Sequence, residues 1–353
     1  MSAPAAEAER FDAVQAALRC ASCGGQRRYA PATALLTCES CGSASEIIDT
    51  GALEARRELA FDPNGRDDEP PEVDHAHRCD ACGGEVVFVG RAVSDRCPYC
   101  DGPVVLHGGH AHYLPSGIIP FRVEKAQAEA LVMDWIARRW AAPGELPHRV
   151  AEGHIAAVYA PFWTFDAVKA ISYTARKRVG SGKNARWRAV RGETTLRLDD
   201  TIIAASDHVT PAIRDGIMHG FHPDLLKSYL PDYLAGFAAE LHGQKVSDGL
   251  AAMKRDVEVL VEKRIRRDIG AGRISGIRYR ARVHGVRFRR VLLPLWIHHY
   301  SYRGTPMRVV VSGIDGRSFG QRPYSTAKLM AYSAAFVIPA FVFGMFGGAA
   351  LAP

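Results

Sequence analysis

The sequence predicts an α+β protein: two N-terminal four-cysteine zinc ribbons, a mixed antiparallel-sheet and helix body, and a C-terminal transmembrane helix. Three observations predict it. Eight cysteines fall into two copies of one spacing, the middle of the chain mixes strand-like alternation with helical periodicity, and Leu329 to Pro353 are 25 residues without a charge. The divisions expected are a first ribbon with flanking segment over residues 1–60, an acidic linker over 61–76, a second ribbon over 77–106, the body over 115–325 and a tail helix over 329–352.

The first set is Cys20, Cys23, Cys38 and Cys41, and the second is Cys79, Cys82, Cys97 and Cys100. Each reads C-x2-C, fourteen residues, C-x2-C, and the copies begin 59 residues apart, which marks a duplicated module. One C-x2-C hairpin aims two thiolates at a tetrahedral ion and a second hairpin supplies the other two, so two zinc ions are expected. Gly24-Gly25 and Gly83-Gly84 follow the first hairpins, and Gly42 and Gly102 follow the second. Those glycines suit the positive φ of a turn that wraps amides toward sulfur. Four disulfides would need an oxidising compartment, and Glu7, Glu9, Arg10 and Asp12 interrupt any early apolar run of a secretory signal. A redox C-x2-C comes singly in a βαβ context rather than fourfold. Spacing alone leaves iron open beside zinc. With four ligands per ion these are closed structural sites, and they speak for folding rather than catalysis.

Between the ribbons, Asp62-Pro63-Asn64-Gly65-Arg66-Asp67-Asp68-Glu69-Pro70-Pro71 lacks apolar periodicity and reads as a flexible linker. In the body, Glu124 to Trp140 keeps helical spacing through Ala128, Leu131, Val132, Trp135 and Ile136. Tyr159 to Ala167 is an aromatic-rich strand, and Ile171–Arg176 and Trp187–Leu198 read as further strands. Ser247 opens a long helix to Ile269 whose buried stripe is Leu250, Met253, Val257, Leu260, Val261 and Ile265. Ile277, Tyr279, Ala281 and Val283 alternate with Arg278, Arg280, Arg282 and His284, giving one apolar and one basic face. Val291 to Ile297 is a buried strand, and Met307–Val311 pairs as a hairpin across Arg303-Gly304-Thr305.

The net charge is +7, and the excess is clustered at Arg176–Arg191 and Arg273–Arg290. That favours an anionic partner, either nucleic acid or an anionic leaflet. Arg278, Arg280 and Arg282 are the residues expected to meet an anionic surface. The uncharged tail exceeds the roughly 20 residues that a helix needs to cross hydrocarbon. Arg322 and Lys328 precede it, so the expected placement is a single-pass protein of the cytoplasmic membrane with its N-terminal body in the cytoplasm.

No catalytic constellation emerges. Gly180-Ser181-Gly182-Lys183 lacks the earlier glycine of a phosphate loop and reads as a hairpin turn. His107, His110 and His112 have no acidic or cysteine partner beside them, and His298-His299 point to opposite faces of a strand. An enzyme would have to assemble dispersed residues such as His222, Asp224, Glu240 and His298.

Several stretches together resemble a bacterial family of TFIIB-type zinc-ribbon membrane proteins, often labelled primosomal or helicase-like. They are the paired ribbons, Ile119-Pro120-Phe121, Tyr159 to Asp166, Tyr233-Leu234-Ala235-Gly236-Phe237, Leu293-Pro294-Leu295-Trp296, and Ser312 to Arg317 running on to Arg322-Pro323. The resemblance spans most of the chain from Cys20 to Lys328; Ile314 departs from it, since the family more often has a polar residue there. It implies no established reaction. It implies a membrane-attached scaffold working with band-7 (SPFH-type) or phage-shock-type membrane-stress proteins. The function expected is therefore a non-enzymatic, membrane-anchored cytoplasmic adaptor that binds protein partners through its zinc ribbons. The alternative is a nucleic-acid-binding or helicase-associated zinc-ribbon factor, and no small-molecule substrate is indicated.

Overall fold

A computed structural model describes residues 18–62, 72–88, 96–102, 104–111, 113–180 and 182–349. The first ribbon is a small sheet of β1 (Arg27–Ala30), β2 (Leu35–Cys38) and β3 (Ala44–Ser45). A short helix α1 (Ala52–Ala55) and β4 (Leu59–Ala60) lead away from it. The second ribbon is built from β5 (Glu72–Cys79), β6 (Glu85–Phe88) and β7 (Val104–Ala111). Most of the expected linker, and His112, lie outside the described residues.

In the body, β8 (Gly117–Ile118) precedes α2 (Lys125–Ala137) and α3 (Leu146–Ala151). The framework is three long strands: β9 (His154–Val179), β10 (Arg186–Ala204) and, after the helices, β12 (Ile274–Tyr302). Between them come α4 (Pro211–Ile217), α5 (Pro231–Leu234), β11 (Ala238–Ala239), α6 (Val246–Asp256) and α7 (Glu258–Ile269). The long helix expected from Ser247 is thus two helices that meet at Val257, and Lys245 rather than a side-chain cap starts the first. The chain closes with β12 (Ile274–Tyr302), β13 (Thr305–Ser312), β14 (Ser318–Gly320) and α8 (Thr326–Ala349). β9 pairs antiparallel with both β10 and β12, and Arg303 and Gly304, at φ 50° and 76°, make the tight β12–β13 turn. Gly180 and Gly182, at φ 89° and 57°, lie between β9 and β10, in keeping with the expected hairpin turn.

Alternation along β12 divides the core. Val291, Leu293, Leu295 and Ile297 enter one apolar cluster, and Leu292, Trp296 and Tyr300 enter another on the opposite face. Each ribbon supplies one of these clusters. Leu18, Tyr29 and Leu36 of the first pack with Phe121, Tyr159 and Phe237. Cys79, Val86, Cys97 and Tyr99 of the second pack with Val158, Phe162 and Ile213, and β6 joins the main sheet by pairing with β11. The ribbons are therefore docked on the body, not strung loosely before it.

The expected transmembrane helix is corrected. Among the described residues, no helix is long and apolar enough to cross a membrane. The end of the chain does form α8, but its first turns are fastened to the body. Ser325 N donates to Ala141 O at 2.8 Å, Lys328 Nζ to Ala142 O at 2.7 Å, and the Tyr332 ring lies 4.7 Å from that of Trp140. Lys328 stands directly before the uncharged run, and Tyr332 and Ser333 bring polar groups into its first turns. The single-pass placement in the cytoplasmic membrane falls with it.

Candidate metal centres

Four turns of one design position the eight thiols. In each, the first cysteine's amide donates to the carbonyl five residues on: Cys20 N to Gly25 O at 2.7 Å, Cys38 N to Ser43 O at 2.8 Å, Cys79 N to Gly84 O at 2.9 Å and Cys97 N to Gly102 O at 2.8 Å. A return bond runs to its carbonyl from the residue just after the second cysteine. That residue is Gly24, Gly42, Gly83 or Asp101, at φ 70°, 72°, 73° and 64°. This explains why the glycine of the last turn is displaced by one position. Asp101 takes the left-handed site, which aspartate tolerates better than most residues. Its carboxylate is then held by Arg96 at 2.9 Å and His154 at 2.8 Å.

The turns bring the sulfurs into two groups of four, with all ligand atoms of a group within 4.8 Å of one another. Cys20 and Cys41 Sγ are 3.7 Å apart and Cys23 and Cys38 3.5 Å; in the second group Cys79–Cys100 is 3.4 Å and Cys82–Cys97 3.7 Å. These separations are far beyond a disulfide. They approach the roughly 3.8 Å edge of a sulfur tetrahedron whose metal–sulfur bonds are about 2.3 Å. Gly25 N and Gly102 N each point at a sulfur at 3.4 Å, and the Ser43 hydroxyl lies 3.1 Å from Cys20 Sγ and 3.2 Å from Cys41 Sγ. The donor sets therefore fit two ions, one per group. Among the described residues no further group of this kind occurs.

Electrostatics point the same way. Ser43 and the neighbouring amides pull Cys20 down to about 5. Cys23 is favoured as thiolate by the Gly25 amide, yet the Cys41 and Cys38 sulfurs push it up to about 12. Burial pushes Cys97 up as well. Four crowded thiols cannot all ionise on their own, and a divalent cation removes the conflict.

Sequence reasoning missed Ser43, which occupies the place that Gly25, Gly84 and Gly102 hold in the other turns; that odd member of the series was its signal. The dispersed residues are not brought together. His222 pairs with Asp224 at 3.3 Å on the surface, Glu240 accepts from Tyr99 Oη, and His298 Nε2 bonds Val150 O at 2.8 Å. Burial raises Glu240 to about 7 and lowers His298.

Arg278, Arg280 and Arg282 are exposed on the N-terminal half of β12, and none belongs to either cysteine group. Their neighbours in sequence behave otherwise. Arg289 is buried against Glu58 at 2.9 Å and Asp200 at 2.7 Å, and Arg290 lies over the Tyr113 and Phe288 rings.

No family model matches this chain, and no solved structure matches it. Over 232 residues it is 23% identical to the uncharacterized protein YdjG of Bacillus subtilis (strain 168), a match covering 63% of this chain and 67% of YdjG. The similarity adds a relative without adding an activity.

Proposed function

We propose that this chain is a non-enzymatic adaptor whose two four-cysteine groups hold zinc, and whose ribbon side binds a protein partner. The observation that carries the reading is the closure of both sites. Four sulfurs surround each position, which leaves no open place for a substrate or an activated water. The ions' task is then to hold shape, and each shaped ribbon is packed on one face of the sheet. Ile48 and Leu53, 84% and 82% exposed, follow the first ribbon within a few residues of each other. Large apolar side chains at that exposure offer anchor points for a partner. The partner class to try first is the one that the sequence resemblance implies, band-7 or phage-shock-type proteins.

The test is capture followed by reconstitution. A stoichiometric partner should co-purify and rebind as a purified protein, and Ile48→Asp with Leu53→Asp should weaken that binding at least tenfold while both ions remain. Recovery of chaperones only, or rebinding that ignores the double substitution, contradicts the reading.

A further inference from the structure

Beyond the core, β10, β9 and β12 continue as a three-stranded blade. On one side α7 covers it: Ile171 and Tyr173 pack with Val261 and Ile265, and Tyr173 Oη donates to Asp268 at 2.6 Å. The other side is open, and the register fixes what it carries. Residues directly opposite on neighbouring strands point to the same face. Thr174 of β9 therefore stands between Arg191 of β10 and Arg278 of β12, and Ser172 between Glu193 and Arg280. Ala170 stands between Thr195 and Arg282, and Val168 between Arg197 and His284. The two arginine clusters, remote in sequence, thus become the two walls of one surface.

Its form is a trough. The middle strand contributes short side chains to the open face, while both flanking strands contribute long ones. Ser172, Glu193 and Arg280 are shared by two adjoining concavities of about 760 Å³ and 440 Å³, the larger of which also reaches Arg264 and Asp268 of α7. Among the described residues, none of Arg191, Arg197, Arg278, Arg280 and Arg282 is in an ion pair, so their guanidinium groups are available. Ser172, Thr174 and Thr195 add exposed hydroxyls. Trp187, 47% exposed, pairs with Arg178 at the tip of the blade and offers a flat ring where the trough ends.

We propose that this trough binds single-stranded nucleic acid, gripped by its phosphates between the two arginine walls. Planar guanidinium forks match phosphate oxygens, and rows of them along a strand give a continuous track. The walls belong to strands two ladder spacings apart, about 10 Å, which admits one backbone and is too narrow for a duplex. A bilayer is flat and would leave a concave floor unfilled. One exposed ring and few acids among many arginines make for backbone affinity with little base preference, the pattern of sequence-tolerant strand binders.

The experiment uses the full metal-loaded chain and fluorescence anisotropy with labelled oligo-dT and oligo-U of about 12 nucleotides. The competing arms are a duplex of the same length and vesicles of phosphatidylserine with phosphatidylcholine. Between about 50 and 200 mM salt, single strands should bind with a steep negative slope of log affinity against log salt. Arg278→Gln, Arg280→Gln and Arg282→Gln together should cut affinity at least tenfold and flatten the slope by about 2, at 0.7 per lost phosphate contact. Arg191→Gln with Arg197→Gln should act the same way from the opposite wall, while Arg138→Gln with Arg149→Gln, at the end of α2 and on α3, should change nothing. Whether DNA or RNA is preferred is read from the two labelled strands. Binding that survives both wall variants, a preference for the duplex, or binding to vesicles alone overturns the proposal.

Discussion

Tyr29 is the pin that docks the first ribbon, and Tyr29→Ala measures how strongly. The ring is 2% exposed and meets Tyr233 edge-on at 5.7 Å and Phe237 at 6.4 Å, both residues of the body. Its amide donates to Ala235 O at 3.1 Å across the same contact. Removing a buried aromatic side chain costs about 3–5 kcal/mol through lost burial and the cavity that remains. Because the partners are in the body while the four sulfurs stay within the ribbon, the loss falls on docking and not on metal binding. At 1.4 kcal/mol per factor of ten, the undocked population rises by roughly two to three and a half powers of ten. Hydrogen exchange of the residue-29 amide reads that opening, since its acceptor lies on the other side of the contact. Exchange should accelerate about a hundredfold or more with two ions still bound. An acceleration below tenfold, or loss of an ion with the ring, refutes the reasoning.

Two further outcomes follow from the buried ion cluster beside β4. Arg289→Met strands Glu58 and Asp200 without their shared guanidinium, which donates to both and to Arg56 O at 2.7 Å. A loss of about 3–5 kcal/mol is expected in urea unfolding, and a loss under 1 kcal/mol contradicts the assignment. Burial and then the nearby Glu58 push the Asp166 carboxyl up to about 6. An acid whose folded pKa is raised keeps its proton longer in the folded chain than in the unfolded one, so stability falls as pH climbs from about 4 to 6 and stays lower above. Asp166→Asn keeps the acceptor for Asp200 N, 2.6 Å away, and removes the charge. It should stabilise the chain at pH 8 by about 1 kcal/mol, discounted for partial exposure, and leave it unchanged near pH 4. A variant whose pH profile parallels the parent's counts against this account.

The cysteine groups were legible because metal ligation imposes a local spacing, and the structure closes each set within its own turns. The helix α2, the β12–β13 hairpin and the alternating arginines were legible for the same local reason. What was hidden depends on register or on distant partners. Nothing near Tyr29 announces that Tyr233 and Phe237 will receive it. Arg278 and Arg191 are far apart in sequence, and only the pairing of both strands with β9 places them on facing walls. Arg289 and Arg290 read like their exposed neighbours until burial against Glu58, Asp200 and Tyr113 separates them. The C-terminal run differs: absence of charge predicts a span, whereas the start of α8 is tied to residues 140–142 of the body.

The central claim is that each four-cysteine group is a closed, shape-holding zinc site. Metal analysis of the purified chain combined with X-ray absorption at the zinc edge tests it most directly. The account predicts two zinc ions per chain with four sulfur neighbours at about 2.3 Å and no lighter ligand, and one ion after Cys20→Ser with Cys23→Ser. Iron in place of zinc, a single ion in the parent chain, or a nitrogen or oxygen neighbour in the coordination shell would contradict it.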